Sequence, residues 1–181
     1  MSKKLNTRTI FERNQSRTVP KGFQETVVWM HDIRSMHNIG SVFRSADAFG
    51  IKELILSGYT PSPPRPEISK TALGAEKSVR WMYLSSILDV LEYLKAEKYT
   101  LIGLEQADSS ILISDLKLNS DSRICLVSGN EITGIDDQIL SHLDQIVEIP
   151  QYGKKHSLNV SVATGIALFS IHELFNRYES R

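Results

Sequence analysis

Three segments carry polar residues that could do chemistry, each where a predicted strand gives way to a loop or helix. They read Asn-Ile-Gly-Ser-Val-Phe-Arg at 38–44, Gly-Asn-Glu-Ile-Thr-Gly at 129–134 and Ser-Leu-Asn-Val-Ser-Val-Ala at 157–163. In open parallel sheets, ligands bind outside the carboxyl ends of the strands. Taken singly, each segment has a simpler interpretation, because Asn38 or Ser157 could merely cap a helix and the glycines could form a plain turn. A plain turn does not explain why the carboxylate of Glu131 stands at a strand end.

The elements that must position these segments alternate between strand and helix patterns. Short β-branched or apolar runs predict strands, and apolar residues at helical spacing predict helices. Gly50 is expected to end the first long helix, and the proline-rich stretch 60–66 is expected to be an extended loop. The predicted strands are 27–30, 53–56, 79–84, 99–104, 123–127 and 145–149, and the predicted helices are 38–49, 85–97, 135–143 and about 158–178, the last with Ser157 as candidate N-cap. Residues 106–122 are expected to be mostly loop. This order predicts an α/β fold with a mainly parallel sheet and helices on both faces.

Composition excludes several classes of protein. The 181 residues fit one domain, and no stretch approaches the ~20 consecutive apolar residues of a membrane span. The basic N-terminus lacks the apolar core of a secretory signal, so we expect a cytoplasmic protein without a membrane partner. Cys125, the only cysteine, lies in an apolar run, and the five histidines show no metal-ligand spacing. We therefore expect no metal.

Charge is unevenly distributed along a chain whose net charge is zero. Residues 1–22 contain six basic residues and one acidic residue, a net charge of +5, and the remainder carries a net charge of −5. We interpret residues 1–24 as a basic N-terminal extension and residues 25–181 as the main domain. The extension could contact RNA phosphates or could be a solvated tail, and composition alone leaves both open.

Together the three segments resemble the three motifs of the SpoU (TrmH-like) family of SPOUT RNA 2′-O-methyltransferases, in the same order. The resemblance covers residues from about 25 to 176. It implies a C-terminal deep trefoil knot and a bent S-adenosylmethionine as cofactor. The cofactor is expected against the backbone of residues at three places: Ser128 and Gly129; Ile149, Pro150 and Gly153; and Ser157 and Leu158.

The resemblance also implies which residues carry the reaction. Arg44 matches the family's catalytic arginine, and Asn38, Glu131, Ser157 and Asn159 are expected to orient it and the substrate. Arginine is protonated in nearly all proteins, so a role as base needs a strong local perturbation. Holding a substrate phosphate while aligning the ribose 2′-oxygen is physically easier for a guanidinium group.

The last predicted helix indicates a second subunit. Its apolar residues surround the helix axis, and a helix that is apolar all round must be buried all round. Ser161 and Gly165 would allow close approach of a partner. The family's dimer uses this helix and completes each active site across the interface, so we expect a homodimer.

Two points about function stay open at this level. The RNA substrate could be tRNA or rRNA. The 24 residues ahead of the main domain are too few for the extra RNA-binding domain of many rRNA-acting relatives, and the longer C-terminal helical extension of some tRNA enzymes is also missing. We favour tRNA and leave the substrate open. The alternative function is a non-catalytic RNA-binding protein that keeps the fold. A nicotinamide or flavin enzyme is a poor alternative, because the glycine-rich dinucleotide fingerprint is missing.

Overall fold

A seven-stranded sheet forms the centre of the computed structural model, which describes residues 2–179, with side chains to residue 178. The strands are β1 (Val27–His31), β2 (Glu53–Ser57), β3 (Trp81–Leu84), β4 (Thr100–Leu104), β5 (Ile111–Leu112), β6 (Ile124–Ser128) and β7 (Gln145–Glu148). Their order across the sheet is β3-β2-β1-β6-β4-β7-β5, and all six neighbouring pairs are parallel. The predicted parallel sheet is confirmed.

Helices cover both faces of this sheet. They are α1 (Thr7–Gln15), α2 (Lys21–Gln24), α3 (Met36–Phe49), α4 (Pro66–Ala72), α5 (Ala75–Ser78), α6 (Ile87–Ala96), α7 (Asp137–Leu140) and α8 (Val160–Glu179), with a 3-10 turn at Ile113–Asp115. Strand side chains alternate between two cores. Val28 and Met30 of β1 face the core beneath α3 and α8, and Val27 and Trp29 face the core beneath α6. The predicted two-layer covering is therefore confirmed, and the trefoil knot stays a prediction.

The segment after β2 differs from the expected extended loop. The loop ends at Arg65, and α4 begins at Pro66, where the missing proline N–H belongs to the first turn and costs no hydrogen bond. Leu73 and Gly74 then adopt left-handed φ angles of 52° and 97°, which separate α4 from α5. Two short helices were missed because four prolines in seven residues obscured the start of the helical pattern.

Two helix ends test the capping assignments. Gly50 ends α3 with a φ of 67°, as predicted. The last helix begins at Val160, and the side chain of Asn159 accepts hydrogen bonds from the amides of Ser161 and Val162 at 2.9 and 3.4 Å. The prediction that Ser157 caps this helix is wrong, because an Asn at the position before the first helical residue satisfies two free N–H groups.

The N-terminal segment has two different parts. Helix α1 is capped by Asn6 and buries no residue. Helix α2 carries Phe23, which is fully buried with its ring centroid 6.3 Å from that of Phe175 on α8. The predicted extension thus ends in residues that pack into the main core, and its boundary at residue 24 stays a prediction.

The contact between α3 and α4 depends on Gly40. A Cβ atom at this position would lie 2.1 Å from the Thr71 hydroxyl oxygen and 2.3 Å from the Ile68 carbonyl oxygen. Backbone atoms cannot yield as a flexible side chain can. The absence of a side chain at Gly40 therefore sets how closely α4 approaches the helix that carries Asn38 and Arg44.

We expect Gly40→Ala to lower the free energy of unfolding by about 1–3 kcal/mol, because the added methyl group forces the two helices apart. Urea denaturation would measure this change in the free energy of unfolding. Gly153→Ala is the matched control, since a Cβ there meets no heavy atom within 4 Å and should change stability by less than about 0.5 kcal/mol. Equal stability of the two variants would contradict this account.

Candidate active site

A cavity of about 300 Å³ opens at the carboxyl ends of β4, β6 and β7. This volume lies at the lower end of the range for small-molecule sites. Segments after all three strands line it, together with the start of α8. Parallel strands bring these loops to one edge of the sheet, as the sequence pattern required.

The turn after β6 explains the glycines of the second motif. A Cβ atom on Gly129 would lie 2.2 Å from the carbonyl oxygen of Gly134, so no larger residue fits there. The backbones of Asn130 and Gly134 exchange hydrogen bonds of 2.9 and 3.0 Å across the turn. Gly134 has a φ of 76°, which favours glycine. The result is a tight turn that projects Glu131 toward the loop after β1.

The carboxylate of Glu131 ties that turn to the neighbouring loop. Its two oxygens accept hydrogen bonds from the amides of Arg34 (2.9 Å) and Ser35 (3.1 Å) and from the side-chain amide of Asn38 (2.9 Å). Burial acts to raise the pKa of Glu131, but these three donors outweigh it and hold the pKa below its ordinary value. Glu131 is therefore a negatively charged anchor between two segments more than 90 residues apart.

Asn38 links Glu131 to the third motif. Its side-chain oxygen accepts a hydrogen bond of 3.0 Å from the side-chain amide of Asn159. Asn159 uses its own side-chain oxygen to cap α8, so its orientation is fixed by the helix. Three of the five predicted catalytic residues thus form one hydrogen-bonded chain, Glu131 to Asn38 to Asn159.

A buried polar cluster supports the loop after β1. The Trp29 indole donates to the Ser57 hydroxyl at 2.6 Å, and His31 Nδ1 lies 2.7 Å from the same oxygen. Burial lowers the pKa of His31, against the opposing effect of Asp32. The side-chain amide of Asn130 donates to the Asp32 carbonyl at 2.8 Å. These contacts hold the first residues of the loop that binds Glu131.

The predicted cofactor residues divide into two groups. Five of them line the cavity, and these are Ser128, Gly129, Ile149, Ser157 and Leu158. Pro150 and Gly153 lie outside the lining. Ser157, which is also a predicted catalytic residue, lines the same cavity as Glu131. Cofactor contact at all seven positions stays a prediction.

Sequence reasoning missed several residues that line the cavity. They include Glu105, Gln106, Asn130, Ile132, Glu148 and His156. A signal was available for two of them, since Glu105 directly follows β4 and Glu148 ends β7. The rule that polar residues at strand ends mark a site applied to these strands as well as to β6.

Arg44 lies away from this cavity within one chain. It is exposed and lines a separate shallow depression with Ser41, Ser45 and Lys70. None of the hydrogen bonds or ion pairs found among residues 2–178 involves its side chain. Its guanidinium group is therefore available to a substrate or to a second subunit.

The described residues contain no group of three or more His, Cys, Asp or Glu side chains that could hold a metal ion. No helix within the described part of the chain is long and apolar enough to cross a membrane.

The arrangement agrees with the outcome of comparisons with known proteins. The model of the SpoU rRNA methylase family matches residues 25–169. The chain belongs to this family. An uncharacterized tRNA/rRNA methyltransferase of Borreliella burgdorferi is 29% identical over 97% of this chain and 75% of its own length. The Escherichia coli 23S rRNA (guanosine-2′-O-)-methyltransferase RlmB is 31% identical over 81% of this chain, which spans only 59% of that relative.

Solved structures show the same fold. The AdoMet-bound rRNA methyltransferase of Sinorhizobium meliloti matches with a TM-score of 0.79 and 26% identity, covering 86% of this chain and 58% of that protein. The TrmH/SpoU tRNA-modifying enzyme of A. aeolicus matches with a TM-score of 0.77 and 24% identity, covering 88% and 80%. The predicted SpoU family and its α/β architecture are therefore confirmed.

We expect Glu131→Gln to destabilise the protein by about 1–3 kcal/mol at pH 7, because the amide loses the charge and places an NH₂ group against backbone donors. The folded pKa lies below the ordinary value of 4.5, so this stabilisation is present above that pH and is lost as the pH falls through the folded value. Urea denaturation at pH 7 and below pH 4 measures the difference in free energy of unfolding between the unmodified protein and the variant, and this difference should become smaller in acid. The exposed Glu92→Gln on α6 serves as control. A difference that does not depend on pH would contradict a charged Glu131.

Proposed function

We propose that this protein transfers a methyl group from S-adenosylmethionine to a ribose 2′-hydroxyl of a structured RNA, with tRNA favoured over rRNA. One observation carries the proposal. The Glu131–Asn38–Asn159 chain joins all three motifs beside a cavity that Ser157 also lines. Titration calorimetry with S-adenosylmethionine, and mass-spectrometric mapping of 2′-O-methylation in cells with and without the gene, test it. A non-catalytic RNA-binding protein would give neither binding nor a lost modification.

The cofactor is S-adenosylmethionine, which the related S. meliloti enzyme binds. The cavity of about 300 Å³ suits a small-molecule ligand, and Ser128, Gly129 and Leu158 border it beside apolar residues such as Ile149 and Val160. Pro150 and Gly153 are proposed to contact the cofactor from the adjoining loop. When bound, the cofactor supplies an electrophilic methyl group on a positively charged sulfur.

The chain's own residues are proposed to position the ribose. Asn38 and Asn159 are fixed by Glu131 and by the start of α8, so their amides present donors without further ordering. Ser157 adds a hydroxyl at the cavity wall. Arg44 holds a substrate phosphate and aligns the 2′-oxygen with the methyl carbon, because a planar guanidinium makes two parallel hydrogen bonds to an oxyanion.

A homodimer is proposed to bring Arg44 to the cavity of the partner. Helix α8 leaves an apolar stripe uncovered, with Val162, Ile166 and Phe169 exposed by 50%, 38% and 55%. These residues lie four and three positions apart and therefore share one side of the helix. The stripe adjoins the Arg44 depression, since the Phe169 ring centroid lies 6.4 Å from that of Phe49. A second copy packed on this stripe covers apolar surface and places Arg44 at the interface.

Arg44→Ala is expected to abolish methyl transfer while leaving the affinity for S-adenosylmethionine within about three-fold of the unmodified protein, because Arg44 does not line the proposed cofactor cavity. Arg44→Lys should be nearly as damaging, since lysine keeps the charge but loses the planar fork. Methyl transfer to RNA and calorimetry measure the two effects separately. Arg80→Lys, an exposed arginine at the start of β3, is the control and should retain activity. High activity in Arg44→Lys would show that fork geometry is not required.

The basic N-terminal segment is proposed to bind RNA phosphates. Removing residues 1–17 deletes five basic residues and leaves Val19 and Pro20 packed. RNA binding should weaken at low salt, and the slope of log K against log salt should fall in magnitude by about 2–4. Cofactor affinity should not change. Fluorescence anisotropy at several salt concentrations measures the slope, and Arg8→Gln combined with Arg13→Gln and Arg17→Gln should reproduce most of the effect with α1 retained. An unchanged slope would identify a solvated tail without this role.

A further inference from the structure

Two glutamates in register at the ends of neighbouring strands line the cavity. In the β4–β7 ladder Leu104 pairs with Val147, and the next amide, that of Glu105, donates to the Val147 carbonyl at 3.1 Å. The pairing therefore continues to Glu105 and Glu148. Neighbouring strands lie about 4.8 Å apart, and residues in register point to the same face of a sheet. Both residues line the cavity.

Among residues 2–178, the hydrogen bonds to these carboxylates come from neutral groups. Glu105 accepts hydrogen bonds from the amides of Gln106 (2.9 Å) and Ile135 (3.1 Å), and Glu148 accepts one from the Ser110 hydroxyl. Such donors orient a carboxylate but leave its charge in place. The Glu105 carboxylate lies toward the turn after β6, and the Glu148 carboxylate lies toward Ser110 ahead of β5. Both residues line the same cavity, so a cation bound there is attracted to two negative charges.

The remaining lining residues increase the negative potential. Glu131 is a third carboxylate on the wall, and the described lining contains His156 but no lysine or arginine. Lys154 and Lys155 lie in the adjoining loop, where both are exposed, and neither lines the cavity. Charge–charge interactions within the cavity are screened less than those at the surface.

We propose that Glu148, beside Glu105, makes the cavity select the positively charged sulfonium form of the cofactor over its demethylated product. This inference rests on the proposed function. In the reaction the bond from sulfur to the methyl carbon breaks with its electron pair left on sulfur, a carbon–oxygen bond forms, and the 2′-hydroxyl proton leaves to solvent. The sulfur thereby becomes neutral. Methyl transfer itself removes the attraction to the carboxylates and favours release of the product.

Calorimetry on Glu148→Gln with three ligands tests this selection. The ligands are S-adenosylmethionine, its thioether product S-adenosylhomocysteine, and sinefungin, which carries an amine in place of the sulfonium methyl. Glutamine keeps the shape and the acceptor for Ser110 but loses the charge. Affinity for the two cationic ligands should fall about three- to ten-fold, while affinity for the product stays within about two-fold.

Two controls separate charge from hydrogen bonding and from distant effects. Ser110→Ala removes the hydrogen bond but keeps the Glu148 charge, and it should preserve the ratio of cofactor to product affinity. Glu92→Gln removes a carboxylate far from the cavity and should change none of the three affinities. On the unmodified protein, raising the salt concentration should lower the same ratio, which provides a test that does not depend on folding of a variant.

Three results would overturn the inference. Equal losses for all three ligands in Glu148→Gln would show that the carboxylate binds a group common to them, such as a ribose hydroxyl. Unchanged affinities would show that the charge has no effect. If the unmodified protein binds none of the three ligands, the proposed function fails first, whereas binding without selection removes only this inference.

Discussion

The site depends on one carboxylate held by backbone amides. Glu131 follows the central strand β6, and its oxygens take up the amides of Arg34 and Ser35 after the neighbouring strand β1. A charged acceptor forms stronger hydrogen bonds than a neutral one, and here it also satisfies N–H groups at the start of a helix. Asn38 reaches Asn159 only because this anchor sets its rotamer. Without the anchor, the three motifs would be neighbours in space but not one constellation.

The strand pattern was sufficient to predict the architecture. Runs such as Val27 to Met30 are apolar on both faces, which only a doubly covered parallel sheet accommodates. Short features were missed for local reasons. Prolines obscured the start of α4, and the cap of α8 was predicted two residues too early, at Ser157 instead of Asn159.

The site itself was predicted in part, through residues that match a motif. Asn38, Glu131 and Asn159 come together as expected, but Arg44, six residues beyond Asn38 on the same helix, faces another way. A helix turns by about 100° per residue, so two side chains six residues apart point about 120° away from each other around the helix axis. Glu105 and Glu148 were missed for a different reason: they belong to no motif, although each stands at the end of a strand.

Helix α8 connects the candidate active site with the N-terminal segment. Asn159 lies at its first end, and Phe175, sixteen residues later, packs on Phe23 of the N-terminal segment. At 1.5 Å per residue the two points are about 24 Å apart on a single rod. Well-packed interiors are stiff, so the helix holds these two points at a fixed separation. The packing of Phe23 and the placement of the Asn159 amide therefore share one rigid support.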